Sequence, residues 1–284
     1  MTIQEINTTI EEGKALKDVS VAYTEIASLK LKKIRQEVFK SRAFFGEVLN
    51  IYALVRKVAS KKSIPESQSI RKRAILILTS NNRFYGTMDK NVVNLFLSHK
   101  AQIPDPQVDV IVVGQGGAQN LKALGFEDFS TIVMRQDLPE PEELVSLTTR
   151  LKKYAQVLVY FAQFQTVVKQ TPVVVDITQL KTIAISRELK DLDKKNRSSF
   201  IFEPEAAKIL EFFDSQIKQV LIGETFLEVE LARTGSRLIL MDQAQHNADE
   251  YLDKQHKLFI QAKRSLDNAR ILELIASMIQ KEKL

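Results

Sequence analysis

Residues 227–269 read LEVELARTGSRLILMDQAQHNADEYLDKQHKLFIQAKRSLDNA. Apolar side chains recur at Leu227, Leu231, Leu238, Met241, Ala248, Leu252, Phe259, Ala262, Leu266 and Ala269. That near-heptad register predicts a helix in a left-handed coiled coil. Thr234, Gln245 and Gln255 occupy core-type positions and make the seam impure, so an ordinary helical bundle is the alternative. The stretch belongs to a proline-free flank, residues 205–284, whose glycines are Gly223 and Gly235. Unbroken, such a flank reaches about 120 Å at 1.5 Å per residue.

A second proline-free flank, residues 1–64, carries Gly13 and Gly46. Proline breaks helices and glycine weakens them, so both flanks are free to be long helices. In this one Ile3, Ile6, Ile10, Leu16, Val19, Tyr23 and Ile26 read as the apolar seam. All seven prolines, at 65, 104, 106, 139, 141, 172 and 204, fall between the flanks.

The middle follows a different pattern. β-Branched runs at Ala74–Thr79, Val108–Val113, Thr131–Met134, Val157–Phe161 and Val173–Ile177 alternate with helical stretches at Asp89–His99, Ala118–Leu124 and Glu142–Tyr154. Alternation of this kind predicts a Rossmann-like α/β domain, a parallel sheet with crossover helices. Arg187–Arg197 reads as an exposed loop or frayed helix. The expected division is an N-terminal coiled-coil helix (1–64), a central α/β domain (65–204) and a C-terminal coiled-coil helix (205–284). The flanks should pair antiparallel, with the second outrunning the first by roughly 20 Å. Its bare end holds Ile271, Leu272, Leu274, Ile275, Met278 and Ile279, an apolar tip that water disfavours unless a partner sleeves it.

Composition removes several function classes. The 284 residues are 44% hydrophobic and 27% charged, an ordinary globular balance. No cysteine is present, which excludes disulfides and thiol chemistry, and three scattered histidines (His99, His246, His256) do not read as a metal cage. No apolar run is long enough to span a bilayer. The first residues carry Glu5, Glu11 and Glu12 and do not read as a signal or transit peptide. Net charge is +6, yet residues 30–73 alone hold 13 Lys or Arg against 3 acids. No aromatic stacking pattern accompanies that basic block, so nucleic acid is not expected as a partner.

Gly114-Gln115-Gly116-Gly117 follows a strand, and Asp137 lies near a second strand's end, as a dinucleotide site would want. The third glycine of the fingerprint is missing, Gln119 standing in its place. No Walker loop, nucleophile elbow or paired-histidine motif occurs, and nothing reads as a catalyst. No cofactor is expected.

Several local patterns occur in the same order along the whole chain as in one known family. The family's Ser-Asp-Arg-Gly-Leu-Cys-Gly-Gly-Phe-Asn-x-Asn loop aligns with Ser80-Asn81-Asn82-Arg83-Phe84-Tyr85-Gly86-Thr87-Met88-Asp89-Lys90-Asn91, with Ser80, Gly86 and Asn91 identical. A tyrosine–phenylalanine–glutamine–proline pattern is matched by Tyr160, Phe164, Gln170 and Pro172, and the family's Tyr-Glu-Pro by Phe202-Glu203-Pro204. Arg-Met-x-Ala-Met-x-x-Ala is similar to Arg237-Leu238-Ile239-Leu240-Met241-Asp242-Gln243-Ala244. In the first helix, Ala27-Ser28-Leu29-Lys30-Leu31-Lys32 stands for Ala-Ala-Lys-Leu-Arg.

In these motifs the chain resembles the gamma subunit of F-type ATP synthases, and the resemblance implies the central rotor shaft of an F-type ATP synthase or ATPase, itself non-catalytic. It implies partners as well: a hexamer of alpha and beta subunits around the coiled coil, the epsilon subunit, and a membrane rotor ring. The location implied is peripheral, at the cytoplasmic side of a bacterial membrane. Rotor–stator contact is expected at Tyr23, Lys30, Lys32, Lys33, Arg35, Arg237, Met241, Lys263, Arg264, Asn268 and Arg270. Ile271, Leu274, Ile275 and Met278 form the expected tip, while Ser80, Asn81, Gly86, Asn91, Tyr160, Gln170, Glu203 and Pro204 are motif matches. The chain departs from the family at Tyr23, Glu25, Arg233, Asp267 and Arg270, which suggests a divergent member, even of a paralogous rotary ATPase. A coiled-coil adaptor that keeps only the fold, and a dinucleotide-binding α/β protein, are the alternatives.

Overall fold

The structure, a computed structural model, describes residues 2–59, 72–101, 108–178 and 206–282. Along the chain these are α1 (Ile3–Ala59), β1 (Arg73–Leu78), α2 (Met88–Lys100), β2 (Val108–Val113), α3 (Gln115–Ala123), β3 (Ser130–Ile132), α4 (Pro141–Leu151), β4 (Gln156–Phe164), β5 (Gln170–Asp176) and α5 (Ala206–Glu282). Arg187–Arg197, Phe202, Glu203 and Pro204 lie outside the described residues.

β1, RAILIL, is buried from Ala74 to Leu78. A continuous apolar run suits a strand covered on both faces. β1 accordingly lies inside the sheet, parallel to β2 and β4, in the order β3-β2-β1-β4-β5. Its side chains divide by the period of two. Ala74, Leu76 and Leu78 join a core with Leu147 and Leu151 of α4 and Ile217, Leu221, Phe226 and Val229 of α5. Ile75 and Ile77 join a second core with Val92, Val93 and Phe96 of α2 and Ala118 and Leu121 of α3.

One strand departs from the parallel expectation. β5 runs antiparallel to β4, with Phe164 opposite Gln170. Only residues 165–169 connect them, and a parallel crossover needs a dozen residues or more, so the pair closes as a hairpin.

The chain falls into two compact units, residues 29–236 and residues 1–28 together with 237–284. Both α1 and α5 contribute to each. In the smaller unit α1 and α5 pair antiparallel. Ile6 and Ile10 pack with Leu252, flanked by Phe259 and Ala262. Lys17 Nζ reaches Asp249 at 2.5 Å, and the Arg237 guanidinium stands 5.9 Å from the centre of the Tyr23 ring.

The α1 seam differs from the sequence expectation. Buried positions are Ile6, Ile10, Gly13, Ser20 and Ala27, whereas Leu16, Val19 and Ile26 are exposed. Small residues hold the seam because the partner helix comes close: a Cβ on Gly13 would stand 2.9 Å from Leu252 Cδ2. The α5 register holds as far as Ala262. Leu266 and Ala269, expected in the seam, are exposed because no buried α1 side chain precedes Ile6 to meet them.

Candidate functional site: the seat of the C-terminal helix and its exposed faces

In an open α/β sheet, ligands bind beyond the carboxyl ends of the strands where the strand order reverses. Here β2 and β3 lie to one side of β1 and β4 to the other, so the reversal falls at β1 and β4. That place is filled by α5. Its Phe226 and Val229 belong to the core on the α4 side of the sheet, and Ala232 to the core on the α2 side. Between them runs a nearly all-round buried stretch that includes Glu224, Glu228, Glu230 and Arg233.

Charges are this deep only when paired. Arg233 is 1% exposed. Its Nη1 donates to the Asp137 carbonyl at 2.9 Å and its Nη2 to the Thr79 carbonyl at 2.5 Å. Glu230 accepts from Lys30 Nζ and lies 3.4 Å from Arg233 Nη1. Arg42 Nη2 donates to Glu228 at 2.5 Å. These pairs join α1 to α5 beside the apolar contact of Ile34 and Val38 with Leu231.

The loop after β1 is organised by Asp137. Its carboxylate accepts from Asn81 N–H at 2.7 Å, Asn82 Nδ2 at 2.8 Å and the Tyr85 hydroxyl at 2.7 Å. Burial pushes this carboxyl up, but Arg233 and the three donors outweigh it and hold Asp137 below the usual carboxylate range. Asp89 goes the other way. Burial raises it despite hydrogen bonds from the Ser80 backbone and hydroxyl, and among the described residues its Oδ1 has no hydrogen-bond partner. At the loop's apex Phe84 is exposed with φ 71°, a conformation side chains rarely adopt.

The Gly114 turn has its donors taken by the protein itself. Gly114 N–H donates to Ile132 at 3.0 Å and Gly116 N–H to the Ser80 carbonyl at 2.8 Å. Gln115 N–H donates to Asn81 Oδ1 at 3.2 Å and Gly117 N–H to Thr79 Oγ1 at 3.0 Å. Gly114 adopts φ 101° against the Thr79 carbonyl, where a side chain has no room. A pyrophosphate needs those same N–H groups. The glycines serve close approach of β1 to α3, and Asp137, the candidate ribose acid, is committed to the 81–85 loop.

Most motif-matched residues of the central domain gather around α5. Ser80 and Asn81 lie on the loop bound to Asp137, and Gly86, with φ 60°, ends it. Asn91 and Gln170 line a polar pocket of about 60 Å³ together with Ser236 of α5. Ser236 also donates to the Tyr85 carbonyl at 3.0 Å. Tyr160 is elsewhere, buried edge-on against Phe96 with its hydroxyl 3.3 Å from His99 Nδ1.

The expected contact residues do not form one patch. Met241 is buried, and Tyr23 and Arg237 face each other across the helix pair. Lys30 is committed to Glu230. Lys32, Lys33 and Arg35 are exposed, Arg35 over the Phe39 ring at 5.7 Å. Every α5 residue from Lys263 to Met278 is exposed, including Arg264, Asn268, Arg270, Ile271, Leu274, Ile275 and Met278. The side chain of Ile279 lies outside the described residues. Among the described residues no His, Asp and Glu cluster suits a metal, and no helix is long and apolar enough to cross a membrane.

The sequence reading missed Arg233, Glu230 and Glu228 as paired interior charges. Their signal is charge embedded in the mostly apolar stretch from Phe226 to Arg233.

A family model described as ATP synthase matches residues 2–277. The chain belongs to this family, as a gamma chain. The ATP synthase gamma chain of Staphylococcus saprophyticus is 23% identical, with 99% of each chain covered. That of Nitrosospira multiformis is 19% identical over 96% of this chain and 97% of its own. Two solved structures share the fold. A chain from the central stalk and c-ring structure of the Tetrahymena thermophila mitochondrial ATP synthase has a TM-score of 0.56 at 17% identity, covering 80% of this chain and 99% of that one. A chain from the Euglena gracilis mitochondrial ATP synthase, in an OSCP, F1 and c-ring structure, has a TM-score of 0.53 at 10% identity, covering 90% and 93%. As a gamma chain, the protein is the rotor-shaft component of an F-type ATP synthase.

Proposed function

We propose that this gamma chain couples its own rotation to the catalytic states of a hexamer of alpha and beta subunits, and that it carries out no chemistry itself. The observation that supports this most is the bare end of α5. From Lys263 to Met278, about 24 Å of helix, every residue is exposed, and Ile271, Leu274, Ile275 and Met278 make its end apolar. An apolar end of this kind turns freely inside an apolar sleeve and is poorly accommodated by water. Rotor–stator contact is assigned to Lys32, Lys33, Arg35, Lys263, Arg264, Asn268 and Arg270 on exposed faces. Lys30, Tyr23, Arg237 and Met241 act instead within the helix pair. In this scheme residues 1–64 and 205–284 serve as the shaft and residues 65–204 as its foot. The epsilon subunit and a membrane ring bind at the foot, on the cytoplasmic side of a bacterial membrane.

The test is purification of the tagged chain from its source cell, with subunit counting by mass spectrometry. Two related nucleotide-binding subunits at about three copies each per chain are expected. Their absence overturns the proposal in favour of an adaptor that keeps only the fold. In the assembled complex, Lys33→Glu with Arg35→Glu should slow ATP hydrolysis. Unchanged turnover removes those two residues from the contact.

A further inference from the structure

We infer that Arg233 is the positioning residue that fixes the rotational setting of α5 on the sheet, where torque passes between that helix and the foot. The inference rests on the shaft reading above. The geometry that carries it is a two-point clasp. One nitrogen of the guanidinium binds the Thr79 carbonyl just past β1, and the other binds the Asp137 carbonyl beyond β3. Both acceptors are backbone, and each sits in a hydrogen-bonded frame. Thr79 donates its N–H to the Val113 carbonyl at 2.8 Å and its hydroxyl to the same oxygen at 2.7 Å. Asp137 is held by Asn81, Asn82 and Tyr85.

One turn on, Ser236 grips the Tyr85 carbonyl of that same loop at 3.0 Å. α5 also packs on the two faces of the sheet through apolar Phe226, Val229 and Ala232. Apolar packing has no direction and tolerates a helix rolling about its axis. A planar guanidinium bonded to two fixed carbonyls does not, because rolling breaks both bonds and leaves buried donors unsatisfied. Torque passing between α5 and the foot therefore acts on Arg233 first. Lysine at this position is a point charge and reaches one carbonyl at a time.

The experiment uses the full chain assembled with its own alpha and beta partners, the hexamer being fixed to a surface. The natural chain has no cysteine, so Lys169→Cys in the exposed β4–β5 turn gives a unique bead attachment. The readout is the width of the bead's angular distribution during each catalytic dwell, a measure of torsional stiffness. Arg233→Met should broaden it at least twofold while the dwell spacing is kept, with Arg233→Lys in between. A structural role alone lowers the melting temperature without altering the width. Equal widths in all three proteins overturn the inference and leave the shaft reading intact. If the protein with native Arg233 enters no hexamer, the shaft reading falls and the inference with it. If Arg233→Met fails to assemble, Arg233→Gln, which keeps a donor for one carbonyl, carries the same expectation, and an unchanged width there overturns it too.

Discussion

Reversing the charge of Lys30 should unfasten the two long helices before any partner is involved. Lys30 Nζ meets Glu230, whose side chain is 2% exposed, while that of Lys30 is 43% exposed. In Lys30→Glu a carboxylate faces a buried carboxylate that, among the described residues, retains Arg233 at 3.4 Å. Two unit charges 4 Å apart interact by about 4 kcal/mol at an effective dielectric of 20. Solvent on the Lys30 side and movement of the longer side chain roughly halve that. The loss of attraction and the new repulsion together come to about 2–4 kcal/mol, overlapping the lower end of the roughly 3–5 kcal/mol for breaking a buried pair. For a chain of this size that lowers the melting temperature by roughly 5–12 °C. Lys33→Glu, on an exposed position of the same turn, should shift it by less than about 2 °C. The assay is thermal and urea unfolding of the isolated chain by circular dichroism, with Lys30→Glu, Lys33→Glu and Lys30→Glu/Glu230→Gln side by side. The double variant should recover most of the loss. Equal midpoints for Lys30→Glu and Lys33→Glu would refute the assignment of Lys30 to the interior pair.

Three further outcomes are expected. Gly13→Leu should cost about 1–3 kcal/mol by overpacking the seam against Leu252, whereas Gly13→Ala should be near neutral, helix propensity offsetting a small shift of the Leu252 end; urea midpoints decide. Asp89→Asn should stabilise the chain at pH 7. Folding raises the Asp89 carboxyl, so its contribution is most favourable below the unfolded value and is lost as pH rises through the folded one; the advantage of the variant must therefore shrink as pH falls toward 4 in unfolding curves taken across that range. Replacing Ile271, Leu274, Ile275 and Met278 together by glutamine should move the stability of the isolated chain by no more than about 0.5 kcal/mol per site and still impair ATP hydrolysis in the assembled complex, read from a coupled ATPase assay.

The sheet was readable because β1 from Ala74 and β2 from Val110 are unmixed apolar runs with helical stretches between, a pattern with one common solution. The α5 seam was readable for a similar reason, since Leu231, Leu238, Leu252 and Phe259 keep one heptad phase. The α1 seam was misread because hydrophobicity there marks the wrong face. Gly13, Ser20 and Ala27 are buried by close approach of a partner helix, while Leu16, Val19 and Ile26 lie on an exposed stripe. No single-chain pattern separates a stripe hidden by another helix of the same protein from one left for a different molecule. The antiparallel β5 was fixed by the shortness of 165–169 rather than by its composition. The interior charges were passed over because Glu228, Glu230 and Arg233 read as solvent-facing until their partners, Arg42, Lys30 and two backbone carbonyls, are in place.

The passage of α5 across the carboxyl ends of β1 and β4 has a pharmacological consequence. In most sheets of this kind the corresponding crevice is where a small molecule would be aimed. Here any such compound competes with an occupant covalently tethered to the same chain, whose effective concentration is in the millimolar range or above before its buried ion pairs are counted. Inhibitors of this protein are better sought against the bare helix between Lys263 and Met278, as helical or macrocyclic mimics of whatever surrounds it.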